Sequence, residues 1–192
     1  MLSSIHPLGE RARGNRWAVT VSAFTVGSTA SGAVIGALLG LVGSTMRPRE
    51  DLALLVVGSL AVIGGGLDLL GVRVPGPSRQ VNERWIGSLR GTVYGFGFGA
   101  QLGAGIATFV VTWGVWVVYA AELLAAAPFR GAVIGAVFGL GRAVAPLAAG
   151  WIDRPSHLTR FSGVMARFAR PAHLITGATT AVVGVLAVLS GV

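Results

Sequence analysis

Two ionisable side chains, Asp68 and Arg142, lie inside long apolar runs of this 192-residue sequence. An ion in hydrocarbon is expensive, and it persists where it pairs, gates or carries something. Asp68 stands five residues before Arg73, and Arg142 stands nine before Trp151. At about 1.5 Å per helical residue, the two can reach similar depths on neighbouring helices. A direct ion pair, as clasp or gate, is therefore one expectation. The alternatives are Asp68 with Arg73, and Arg142 snorkelling to the nearer surface. Gln101 is the remaining polar residue at depth, where with Thr108 and Thr112 it lines a small polar site or bonds to a neighbouring helix.

Other chemistries lack their residues. There is no cysteine, which excludes disulfides, thiolate metal sites and dithiol electron transfer. His6, His157 and His173 do not have the spacing of a metal site, so no metal and no cofactor is expected. No P-loop, G-x-S-x-G, H-E-x-x-H or paired-carboxylate pattern is present. Gly95-x-Gly97-x-Gly99 falls in an apolar run rather than after a strand, so it is no nucleotide loop. The chain is not expected to be an enzyme.

The elements that must position these residues are set by composition. Apolar residues make up 53%, charged residues only 11%, and mean hydropathy is +0.74. A soluble domain has roughly a quarter charged residues, so hydrocarbon is the expected solvent. Five runs are long enough to span: 17–43, 52–74, 91–119, 129–151 and 171–191. The third is long and glycine-rich, which calls for tilt or bending. A split at Thr112–Gly114 is conceivable, but no polar loop lies there and one helix is expected. The first run continues past the small residues at Thr29–Ala33 and is too long for a signal-peptide core. The fold class expected is all-α, a polytopic transmembrane bundle of five helices behind a cytoplasmic N-terminal tail, 1–16.

Arginine placement orients the bundle. All fifteen basic residues are arginine, and the pI near 11.7 could suggest nucleic acid. Eleven of them, however, fall in the tail, in the second loop (Arg73 at its start and three more in 75–90) and in the 154–170 loop, which five spans put on one side. The positive-inside rule makes that side cytoplasmic. This gives an inner (plasma) membrane protein with its C-terminus outside, and no nucleic-acid partner. Trp17, Trp85 and Trp151 then fall at the inner interface, and Trp113, Trp116 and Tyr119 toward the outer one. In the 154–170 loop, Leu158, Phe161, Met165 and Phe168 share a helical face, with Arg160, Arg167 and Arg170 on the opposite one. That pattern fits a basic amphipathic helix on anionic lipid headgroups. Val81, Trp85 and Leu89 make a shorter stripe of the same kind in the 75–90 loop.

Two pairs of segments repeat. Residues 32–40 match 131–139 at seven of nine positions, and 57–65 match 183–191 at six of nine. Under the five-span topology the repeat is inverted, a common plan for transporters. The implied architecture is three plus three helices with the first missing. Without water, helices associate through close packing, and small residues provide the smooth faces. Gly32, Gly36 and Gly40, Gly135 and Gly139, and Gly95, Gly99 and Gly103 form such lines. They are read as packing seams rather than a pore lining.

Three stretches carry a family resemblance: 90–99, with its Tyr94-Gly95-Phe96-Gly97-Phe98-Gly99; 135–147, with Gly139-x-Gly141 and Pro146-Leu147; and the last helix, with Gly177 and Gly184. On these the chain resembles the transmembrane thiol–disulfide carriers of the DsbD/CcdA type, the cytochrome c biogenesis transmembrane family. The resemblance implies that the five helices here correspond to helices two to six there. That family works through paired membrane cysteines, and no residue here replaces them, so the resemblance implies a scaffold without its redox chemistry. The expectation is a carrier-like small transporter or permease unit, as a homo-oligomer or with a partner subunit. The competing expectation is an assembly or anchoring subunit of a membrane complex, one handling redox or cytochrome maturation.

Overall fold

The computed structural model describes residues 5–76, 85, 88–105 and 110–191. Among them every regular element is helical. The order is α1 (Pro7–Ala12), α2 (Trp17–Met46), α3 (Glu50–Leu69), α4 (Gly91–Gly103), α5 (Gly114–Leu124), α6 (Pro128–Ala148) and α7 (Pro155–Gly191), with a 3-10 turn over Ala149–Trp151. Four spans are long and apolar enough to cross a membrane: Trp17–Met46, Glu50–Leu69, Pro128–Trp151 and Pro155–Gly191.

The distribution of side chains is compatible with hydrocarbon surroundings. Large apolar residues point outward, among them Leu38, Leu70, Phe129, Ile175 and Leu189. Many buried positions are held by glycines and by Thr20, Ser28, Asp68 and Glu122, beside a small aromatic cluster of Phe24, Tyr94 and Phe98. Water would reverse this order, since burying apolar area is what stabilises a soluble core. Close backbone approach between helices takes its place.

Helix α2 is the axis of the bundle. It runs antiparallel to α6: a Cβ on Gly32 would collide with the carbonyl of Gly135, one on Gly135 with that of Gly32, and Gly36 and Gly131 exclude each other in the same way. Gly40 meets Ala127, and Gly139 meets Ser28. On the other side α4 runs parallel to α2, with Gly95 against Thr20, Gly99 against Phe24 and Gly103 against Ser28. Hydrogen bonds reinforce both seams, from Ser28 Oγ to the Gly139 carbonyl at 2.6 Å and from Ser31 Oγ to the Ala100 carbonyl at 2.7 Å. A second antiparallel pair joins α3 to α7, where Gly58 meets Gly184, Gly65 meets Gly177, and Gly191 meets Asp51.

Three expectations need correction. The third run is not one helix: α4 stops at Gly103, Gly105 adopts φ +76, and α5 begins at Gly114. Glycine takes the left-handed conformation at no steric cost, and hydrogen bonds from distant residues, described below, satisfy the backbone on both sides of the break. The 154–170 stretch is not a separate surface helix, because α7 continues through Pro171 to Gly191. Residues 162–172 are exposed, so the carbonyl that the proline leaves unpaired is not trapped inside the bundle. The segment before α2 is not a loose tail. Leu8 N–H donates to the Ile152 carbonyl at 3.1 Å, and Glu10 is fully buried. In the stripe proposed for the 75–90 loop, Val81 lies outside the described residues, while Trp85 stacks on Phe98 at 6.0 Å.

Candidate functional site

The break between α4 and α5 falls midway along α2. The last turn of α4 touches Ser28 and Ser31, while α5 ends against Gly36 and Gly43. Each half-helix, 13 and 11 residues, is too short to span alone, since about 20 are needed. Interrupting a helix strands carbonyls on one side and N–H groups on the other. Inside hydrocarbon these must find protein partners.

Both sides find them. The Tyr119 hydroxyl donates to the Ala104 carbonyl. The Trp113 N–H, at the start of α5, donates to the Asp68 carboxylate, 3.0 Å from Oδ1 and 3.1 Å from Oδ2. Asp68 is 1% exposed and closes the last turn of α3. It is thus an acid placed at the positive end of a half-helix, where the aligned peptide dipoles favour negative charge. His173 of α7 brings Nε2 to 3.9 Å from Asp68 Oδ1. The indole N–H groups of Trp113 and Trp116 donate to the carbonyls of Val72 and Pro75. These two tryptophans therefore hold the segment leaving α3, and they do not lie with the opposite end of the bundle as the aromatic-belt reading expected.

Asp68 and Arg142 flank the break without pairing. The Arg142 guanidinium lies 5.3 Å above the Phe138 ring, a cation–π arrangement. Phe138 in turn neighbours Gly105, at the end of α4. No ion pair joins Asp68 to Arg142 or to Arg73 among the described residues, which corrects the expected clasp. Gln101 is half-buried in the last turn of α4, Thr112 immediately precedes α5, and Thr108 lies outside the described residues. Arg160, Arg167 and Arg170 are all exposed on α7, and so are Met165 and Phe168. No cluster able to hold a metal ion occurs among the described residues.

Sequence reasoning missed Glu122. It is 1% exposed on α5, its Oε2 has no hydrogen-bond partner, and its carboxyl lies against Gly36 of α2 and Gly135 of α6. The signal was present, for Glu122 is the sole charged residue between Arg90 and Arg130. Treating the third run as ending at Tyr119 left it in a loop.

Glu10 was missed as well. Its carboxylate accepts from Arg13 at 2.5 Å, from Thr20 Oγ1 at 2.9 Å and from the Tyr94 hydroxyl at 2.5 Å. It thereby ties α1 to the starts of α2 and α4. His6 caps α1, its Nδ1 accepting from Gly9 N–H at 3.1 Å. Burial lowers the pKa of His6, and Arg13 lowers it further against the opposing pull of Glu10. Burial acts against the charge of Arg13, but the hydrogen-bonded Glu10 carboxylate outweighs it and raises the guanidinium's pKa.

No protein family's model matches this chain, and no solved structure matches it. Among curated proteins it is similar to the methylamine utilization protein MauF of Methylophilus methylotrophus, at 31% identity over 157 residues. The match takes in 79% of this chain and 55% of the relative, so the chain spans about half the relative's length.

Proposed function

We propose that this chain is a non-catalytic transport unit of an inner membrane, with the α4–α5 pair as its fifth crossing and the helix break as its substrate site. The observation that carries this reading is the pairing of a mid-bundle helix interruption with a buried carboxylate, Asp68, on the freed N–H of Trp113. Discontinuous helices with ion-binding ends are how membrane carriers build a polar site at depth. Asp68 is buried, so α4 and α5 must separate for a solute to reach it.

The contacts also support an inverted repeat. Equating 32–40 with 131–139 turns the Gly32–Gly135 contact into the Gly131–Gly36 contact, and Gly40–Ala127 into Gly139–Ser28. Equating 57–65 with 183–191 turns Gly65–Gly177 into Gly191–Asp51. The two halves thus meet as an antiparallel pair through equivalent residues, which is also what the resemblance to the cysteine-bearing carriers implies. The absence of cysteine leaves the scaffold without electron transfer.

The MauF likeness suggests the substrate to offer first. Methylammonium is a small cation suited to a buried carboxylate, and a place in methylamine utilization is the reading it supports. The test uses the natural lack of cysteine. Gln101→Cys and Thr112→Cys, made singly, are exposed in oriented vesicles to an impermeant thiol reagent from each side. A transport unit yields modification from at least one side, and methylammonium slows it. A bundle that leaves both positions unreactive under all conditions removes the reading.

A second reading is favoured by one feature. An apolar groove of about 810 Å³, lined by Ala53, Leu54, Leu124, Ala127 and Val133 among others, lies between α3, α6 and the end of α5. The repeat equates Ser28, which meets α4 at Gly103, with Ala127 at this groove. It is therefore where the missing first helix would sit, and a transmembrane helix of a partner subunit or of a second copy fits it. A photo-crosslinker at Ala53 in native membranes distinguishes the cases. A stoichiometric adduct with one membrane protein supports the subunit reading, and adducts with lipid alone reject it.

A further inference from the structure

From the position of Glu122 we infer a proton-binding site within the membrane-spanning bundle, one the site at the helix break does not use. The carboxyl lies where three helices meet. Its own helix α5 carries it into the notch left by missing side chains on α2 and α6: a Cβ on Gly36 would stand 3.3 Å from its Cδ, and one on Gly135 would stand 3.0 Å from its Oε1. Oε2 is buried and has no donor. A carboxylate in this position would be an unpaired ion facing the glycine backbone of two helices, the costliest state a buried acid can adopt. The neutral acid has no such penalty and can donate its own O–H.

Among the described residues, the surroundings supply no counter-charge. Helix α2 has no ionisable residue between Trp17 and Met46. On α6, Arg130 is exposed and turned to Glu50 at 3.3 Å, and Arg142 lies over Phe138. On α3, Asp51 pairs with Arg49, and Asp68 caps the far end of α5. The nearest histidine on α7, His173, faces Asp68. Tyr119, on α5 itself, is committed to Ala104. With Oε2 buried and without a donor, and no cation facing it among the described residues, the notch selects a proton over any ion. The exchange is simple: one O–H bond forms when a hydronium ion at an opened seam gives its proton to the carboxylate and leaves as water, and it breaks when the proton passes back to a water molecule.

Because the same carboxyl sits on the half-helix that begins at the break, protonation couples to the motion of α5. This coupling rests on the transport reading, whereas the proton site itself does not. The chain in lipid vesicles is treated with dicyclohexylcarbodiimide, which reacts with protonated carboxyls in apolar surroundings, and adducts are located by peptide mass spectrometry. Glu122 is expected to be labelled, less as pH rises and not at all in E122Q. E122Q, which mimics the neutral acid, is expected to unfold at the wild-type temperature at acidic pH, below the ordinary carboxyl range, and above it at neutral and alkaline pH. Absence of label on Glu122 at every pH, or an E122Q variant destabilised throughout, overturns the inference. If Glu122 labels as expected but no solute moves, the proton site stands and the transport reading fails. If methylammonium moves but Glu122 never labels, only the proton site is lost.

Discussion

Asp68 and Trp113 are 45 positions apart in sequence, yet both oxygens of the first accept the backbone N–H of the second, at 3.0 and 3.1 Å. A side chain on the end of α3 thus terminates a helix it does not belong to. Removing the acceptor leaves a buried N–H unsatisfied, at a cost of about 1–3 kcal/mol. Asp68→Ala should lose stability in that range when unfolding is followed in mixed micelles. Asp68→Asn, which keeps one acceptor oxygen, should lose less. Equal losses for the two would mean that the charge, not the hydrogen bond, is what holds α5.

The same geometry predicts independence where the sequence suggested partnership. Arg142 is engaged with Phe138, Asp68 with Trp113, and no ion pair links them among the described residues. The double variant Asp68→Asn/Arg142→Gln should therefore show the summed effect of the single ones, within about 0.5 kcal/mol. A charge-exchanged pair should rescue nothing. Rescue would place the two groups in contact in some working state of the protein.

What could be read from the chain, and what could not, follows from the range of the interactions. Asp68, Arg142 and Gln101 stand out because an apolar run makes any polar residue conspicuous. The glycine lines are visible because small-residue spacing is local. The helix break is set by long-range bonds, Tyr119 to Ala104 and Trp113 to Asp68, so no local signal separates Gly105 from the glycines before it. Glu10 is hidden for the same reason, since the Tyr94 that buries it is 84 residues away. Glu122 was obscured by the mistaken continuity of the third helix. Once that helix is divided, the acid falls in a buried half-helix and not in a loop.

The docked N-terminal segment should respond to acid. His6 has its pKa lowered by burial from an ordinary 6.5. The undocked segment therefore binds a proton first as pH falls, and the docked form loses ground below about 6.5. Hydrogen exchange of residues 7–13 should rise between one unit above and one unit below that value. His6→Asn, which retains a capping acceptor but does not titrate, should flatten the response. Tyr94→Phe, which takes one donor from Glu10, should raise exchange there at both pH values.

The α2–α6 seam offers a test in which the sign of the effect reverses within one helix. At Gly131, as at its partner Gly36, an added Cβ would overlap the opposing carbonyl oxygen, and only backbone movement relieves it. Overpacking of this kind costs about 1–3 kcal/mol, so Gly36→Ala and Gly131→Ala should each destabilise by that much. Gly141 lies on the same helix as Gly131, but a Cβ there meets nothing within 4 Å. Removing a helix-interior glycine is worth roughly 0.5–1 kcal/mol, so Gly141→Ala should stabilise. The comparison holds residue type, helix and substitution constant and varies only the neighbour. If all three alanine variants moved stability in one direction, backbone approach between α2 and α6 would not be what joins the two helices.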